Sequence, residues 1–151
     1  MNSIVNKPYK PIWYSILLLI VLSMIGFNNA IDIQLHDTYF VIALIHTGIL
    51  FSIYLGIIGI IYWLIRNKRL VNWMTVTHVV TTNSTFTLII ITGLIFKKVI
   101  EGNIETFRIV NQILFVLIII ALLSQLIFIT NLVMVLLMNK PKKLKNEASS
   151  E

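Results

Sequence analysis

The chain has 151 residues, 58% of them hydrophobic and only 12% charged, with twelve Lys and Arg against six Asp and Glu. Its apolar runs are too long for a soluble core of this size and read as a single-domain integral membrane protein. Cysteine is absent, so a disulfide framework and a thiol nucleophile are excluded, and the basic balance of +6 is accounted for by topology and lipid headgroups without a nucleic-acid partner.

In chain order, the first apolar run spans Ile12 to Phe27 and extends to Ala30, near the ~20 residues that cross ~30 Å of hydrocarbon. It also has the outline of a secretory signal, with Lys7 and Lys10 before an apolar stretch. Gly26 to Ala30 makes a poor cleavage site, so a retained helix is expected. Three longer runs follow, Tyr39 to Ile65, Val71 to Phe96 and Ile109 to Met138. Continuous apolarity without strict alternation selects helices over a barrel, because the bilayer leaves backbone N–H and C=O groups to find partners within the chain. The expected architecture is all-α, a four-transmembrane-helix bundle over residues 12–138, between an N-terminal tail (1–11) and a basic-then-polar C-terminal tail (139–151).

Alternating the spans puts Lys7, Lys10, Arg66, Lys68, Arg69, Lys140, Lys142, Lys143 and Lys145 on one side and Lys97, Lys98 and Arg108 on the other. By the positive-inside rule both termini then face the cytoplasm of a bacterial inner membrane, or the matrix of a mitochondrial one.

The run Ile31-Asp32-Ile33-Gln34-Leu35-His36-Asp37-Thr38-Tyr39-Phe40-Val41-Ile42-Ala43-Leu44-Ile45-His46 resembles the haem-ligating segment of haem-copper terminal oxidase subunit I. That family reads approximately His-Asp-Thr-Tyr-Tyr/Phe-Val-Val-Ala-His-Phe-His, with the last two histidines on the high-spin and low-spin haems. Leu44 stands at the first ligand position and His46 at the second. Further similarity runs collinearly through Gly56 to Trp63, then Asn83-Ser84-Thr85-Phe86 with Gly93-Leu94, then Asn111, Ser124, Phe128 and Asn131. The chain thus resembles the family's last four helices, over roughly residues 13–138.

The resemblance implies several sites. His46 would be a haem ligand, Lys97 and Lys98 would stand near the family's propionate-binding Arg-Arg pair, and His36 with Asp37 would match ligands to a non-redox magnesium ion in an outward loop. It also implies what is lost. The copper ligands and the low-spin haem's second histidine lie on earlier helices without counterpart here, and an aliphatic Leu44 has no lone pair for iron. No oxygen-reducing centre is therefore expected, and the chain is read as a noncatalytic relative with no cofactor, associated with lipids and with another membrane subunit or a second copy of itself.

Each candidate residue also has a structural reading. His46, about eight residues into its expected helix, is an ionisable group at depth and so a functional candidate, or else a neutral ring bonded to a neighbour. His78 offers a remote second axial ligand. Asp37 or Thr38 suits a helix N-cap. The polar run Thr75, Thr77, His78, Thr81, Thr82, Asn83, Ser84, Thr85 and Thr87 fits a small transporter's path or a packed seam between helices. The two other functional readings are a haem-binding electron-transfer or haem-handling protein using His46, and that transporter.

Overall fold

The computed structural model describes residues 7–68, 70–100 and 104–138, with the side chains of 97–100 outside the description. Its elements are α1 (Tyr9–Ile25), β1 (Ala30–Leu35), β2 (Thr38–Ala43), α2 (Leu44–Leu64), α3 (Asn72–Ile100) and α4 (Ile104–Met138). The helical bundle expected from hydropathy is present. Three helices, α2, α3 and α4, are long and apolar enough to cross a membrane, while α1 has 17 residues. The chain is therefore a membrane protein, with α1 ~25 Å long against a core of ~30 Å.

Neighbouring helices run antiparallel, as their paired contacts require. On α1 and α2, a Cβ at Gly48 would lie 2.3 Å from Ser23 Oγ, while one at Gly59 would lie 3.4 Å from Ile12 Cγ2. Gly48 is therefore a close-approach point, where helix backbones meet because no side chain separates them. Between α3 and α4, Thr82 pairs with Ser124 near the middle and Thr75 with Asn131 towards one end. Between α2 and α3, Phe51 stacks on Phe86 with ring centroids 4.1 Å apart.

A correction concerns the segment after the first helix. Residues 30–43 form an antiparallel hairpin, paired Ala30 with Ala43 through Leu35 with Thr38. The fold is thus mostly helical with a two-stranded sheet. Ile31, Ile33 and Leu35 alternate with Asp32 and Gln34, the period of a strand, and two residues, His36 and Asp37, make the turn. His36 takes φ of 53°, the left-handed conformation that two-residue hairpin turns need at their first central position.

Several expectations shift with the hairpin. Tyr39 to Ala43 is strand, so α2 begins at Leu44 and His46 is its third residue, not a group eight residues deep. Asp37 and Thr38 sit in and beside the hairpin turn and do not cap a helix. Lys97 and Lys98 lie on helical backbone, since α3 continues to Ile100 where a loop had been expected. Helix α4 starts at Ile104, five residues before the expected Ile109.

The hairpin is fastened to the bundle end by three contacts. Leu44 N–H donates to Asn29 O at 2.8 Å. Ile31 is buried beside Gly93 of α3, where an added Cβ would meet Leu44 Cδ1 at 2.7 Å and Ile31 Cγ1 at 2.8 Å. Asn111 of α4 accepts Gln34 N–H (2.9 Å) and donates to Gln34 O (3.0 Å). That amide behaves as one residue of a third strand, satisfying an edge that would otherwise be open.

Gly48→Ala should lower unfolding stability in detergent by about 1–3 kcal/mol through overpacking against Ser23. Gly56→Ala, where an added Cβ meets nothing within 4 Å, should leave it within about 0.5 kcal/mol. Thermal unfolding monitored by circular dichroism compares the two.

Candidate functional site

The polar groups of α3 divide into an inward chain and an outward patch. On the inward face His78 is 1% exposed and clasped by two helices. Its Nδ1 lies 3.0 Å from Tyr62 Oη of α2, and its Nε2 lies 3.2 Å from Gln125 Oε1 of α4. The ring also stacks on Phe128 at 4.8 Å.

The direction of these hydrogen bonds follows from the fixed partners. The Gln125 NH2 group donates to the carbonyl oxygen of Ala121 at 3.0 Å. A carbonyl only accepts, so Oε1 is the atom turned to His78 and must receive a proton from Nε2. His78 is then the neutral Nε2–H tautomer, and its Nδ1 accepts from the Tyr62 hydroxyl. The Gln125 NH2 also donates to Ser124 Oγ (2.9 Å) and Thr82 Oγ1 (3.3 Å), while Ser124 Oγ donates to Ala121 O (2.8 Å). Thr82 consequently donates to Ser124 at 2.8 Å.

Asn131 makes a second knot towards the helix end. Its Oδ1 accepts Val71 N–H (3.1 Å), just ahead of α3, and its Nδ2 donates to Thr75 Oγ1 (2.9 Å). Thr75 in turn donates to Val71 O at 3.1 Å. A side chain of α4 therefore caps the start of α3, satisfying an amide that the helix itself leaves free. The inward chain ties α2, α3 and α4 together with its buried groups engaged.

The outward patch differs. Asn83, Ser84 and Thr87 line an open cleft of about 420 Å³, and Asn83 is eleven residues, ~16 Å, beyond the start of α3. The Asn83 Oδ1 atom is enclosed without a hydrogen-bond partner among the described residues, as is Ser52 Oγ of α2. A separate apolar cleft of about 320 Å³ between α2 and α4 is floored by Phe51, Tyr54 and Phe86 and touches Gln125.

The residues singled out by resemblance are not brought together. His46 is exposed on α2, while His78 is closed between Tyr62 and Gln125, so the two do not form a bis-histidine pair within the chain. Leu44, at the other ligand position, is 0% exposed and packs at the hairpin base. His36 and Asp37 form an exposed pair at the hairpin tip, Nε2 to Oδ2 3.2 Å, with side chains 92% and 90% exposed. No third His, Asp or Glu among the described residues gathers there. Two donors already facing each other do not fit the octahedral oxygen shell of magnesium. The side chains of Lys97 and Lys98 lie outside the described residues.

Sequence reasoning passed over Tyr62, Gln125 and Asn111 as polar partners. Gln125 is an amide in the apolar stretch of α4, and such a group at membrane depth signals an interhelical bond, whereas Asn111, next to Gln112 and near Arg108, carries no such signal. Near the hairpin turn, the Tyr39 hydroxyl has its ionisation pushed upward by burial and then by the neighbouring Asp32 carboxylate, which hydrogen-bonds it. Phe107 of α4 packs against the same ring at 5.9 Å between centroids.

Compared with protein-family models, curated proteins and solved structures, the chain matches none.

His78→Leu strands the Tyr62 hydroxyl and Gln125 Oε1 and should lower unfolding free energy by about 1–3 kcal/mol, read by denaturant titration in micelles. Asn111→Leu should speed amide hydrogen exchange at Gln34 roughly tenfold through loss of its partner. Unchanged exchange would show that the Asn111 bonds do not hold the strand.

Proposed function

We propose that this chain is a noncatalytic membrane accessory protein, a degenerate relative of haem-copper oxidase subunit I that acts by docking on another membrane subunit or on a second copy of itself. The observation carrying this reading is the open cleft in mid-helix lined by Asn83, Ser84 and Thr87, with the Ser84 side chain exposed. In hydrocarbon a polar group without a partner is costly, and a neighbouring transmembrane helix bearing its own hydroxyl or amide relieves it. The inward polar groups are bonded to one another, which supports a structural seam over a transport path.

In this reading α1 is the fourth membrane span, its short length met by local thinning or tilt of its neighbours. Both termini face the cytoplasm or matrix, in keeping with the distribution of Lys and Arg. A respiratory complex is the partner suggested by the oxidase-like segment around His46. Loss of a ligand at Leu44 supports a noncatalytic role, because haem iron finds no donor in an aliphatic side chain.

The second reading, haem binding, is favoured by one observation: the His46 ring is exposed on α2 and has no partner among the described residues. Iron held there would take its other axial ligand from a different chain.

The test is association in membranes. Ser84→Leu should weaken copurification or self-association by roughly three- to twentyfold, the range of a single interhelical hydrogen bond, measured by crosslinking yield or resonance energy transfer in vesicles. Undiminished association of a folded Ser84→Leu variant would overturn the docking patch. Protein purified gently from haem-replete cells should show little Soret absorbance. A stoichiometric low-spin spectrum removed by His46→Gln would promote the haem reading.

A further inference from the structure

At the end of the bundle opposite the hairpin, the first turns of α1 approach the last turn of α2. Tyr9, Lys10, Trp13, Tyr14 and Trp63 surround a cleft of about 360 Å³. Trp13, Tyr14 and Trp63 are 53%, 73% and 46% exposed, and the Arg66 guanidinium sits over the Trp63 ring, 4.8 Å from its centroid. Two cationic side chains thus stand at an aromatic cleft on a membrane protein.

Charge at this end is one-sided. The described basic residues here are Lys7, Lys10, Arg66 and Lys68, whereas the described acids Asp32, Asp37 and Glu105 lie in the hairpin or at the start of α4 beside it. Asp37 pairs with His36 at the hairpin turn. Among the described residues, then, no carboxylate pairs with Lys10 or Arg66. The first turn of α1 also carries no acid and no side-chain cap, so its amide dipoles add to the positive field. Tryptophan and tyrosine rings settle at the level where acyl chains meet headgroups, with an apolar body and a polar edge.

We propose that this cleft binds one anionic phospholipid, its phosphate between Lys10 and Arg66 and the start of an acyl chain along Trp13 and Trp63. Charge complementarity selects an anionic headgroup over a zwitterionic one, and the two indoles select a lipid over a soluble phosphate. The site uses none of the positions at which the oxidase resemblance implies haem, propionate or magnesium binding, although Trp63 ends one of the segments that carry that resemblance.

The experiment uses the full chain with Trp73→Phe, leaving Trp13 and Trp63 as the fluorophores, in a neutral maltoside detergent. Dibrominated phosphatidylglycerol should quench at concentrations about tenfold below those needed with dibrominated phosphatidylcholine, as expected for two basic groups near an anionic headgroup. Lys10→Gln with Arg66→Gln should bring the two curves within about twofold, and Lys10→Arg with Arg66→Lys should restore the difference. Equal quenching by both lipids, or a preference that survives the paired glutamine substitutions, would overturn the site. Full reversal of quenching by millimolar glycerol phosphate would also overturn it, by showing that a soluble phosphate suffices. As a check on the unaltered protein, native mass spectrometry from vesicles of equal phosphatidylglycerol and phosphatidylcholine should retain the anionic lipid, and equal retention of both would contradict the proposal.

Discussion

A bilayer interior offers no water to hydrogen-bond a stray polar group, and the arrangement of this chain follows from that constraint. Helices answer it for the backbone. The side chains answer it through the inward bonds of Tyr62, His78, Gln125, Thr82 and Ser124, and through the knot of Asn131 with Thr75, which together join three helices. Lipid tails are as apolar as leucine, so hydrophobic burial alone does not select one helix neighbour over another. Directional bonds and close backbone contacts do, and here the first are concentrated on α3 and the second at Gly48.

The same constraint separates the two ends of the molecule. At one end, a hairpin with an apolar edge strand is laid against α3 and α4, its inner edge closed by Asn111 and its base by the contact of Ile31 with Gly93. At the other, aromatic rings and basic side chains collect where headgroups belong. The extra length of α4, 35 residues or ~52 Å, lets it reach beyond the hydrocarbon and supply both Asn111 and Phe107 to the hairpin.

Chemistry that the sequence suggests and the arrangement distributes differently is concentrated in three histidines. His36 marks a turn, His46 faces outward and His78 is spent on an internal bond network. A histidine is versatile because its two nitrogens take different roles according to the partner, and in His78 both nitrogens already have one. The polar side chains left on the outer surface of the helices include Ser84 and His46.

By itself the sequence determined the membrane location, the number of helices and their approximate limits, because long apolar runs have few physical solutions. The segregation of cations towards Lys7, Lys10 and Arg66 was also legible, since charge repels from hydrocarbon whatever the packing. Only the tertiary structure decided that residues 30–43 are a hairpin: Tyr39 to Ala43 is apolar enough to extend the following helix, and the alternation in Ile31 to Leu35 becomes decisive when its partner strand is present. It also decided which polar residues of α3 face inward. A 3.6-residue period distributes Thr75, His78 and Thr82 onto one face and Ser84 onto another, but which face meets α4 is fixed by where Gln125 and Asn131 stand, some fifty residues away in sequence.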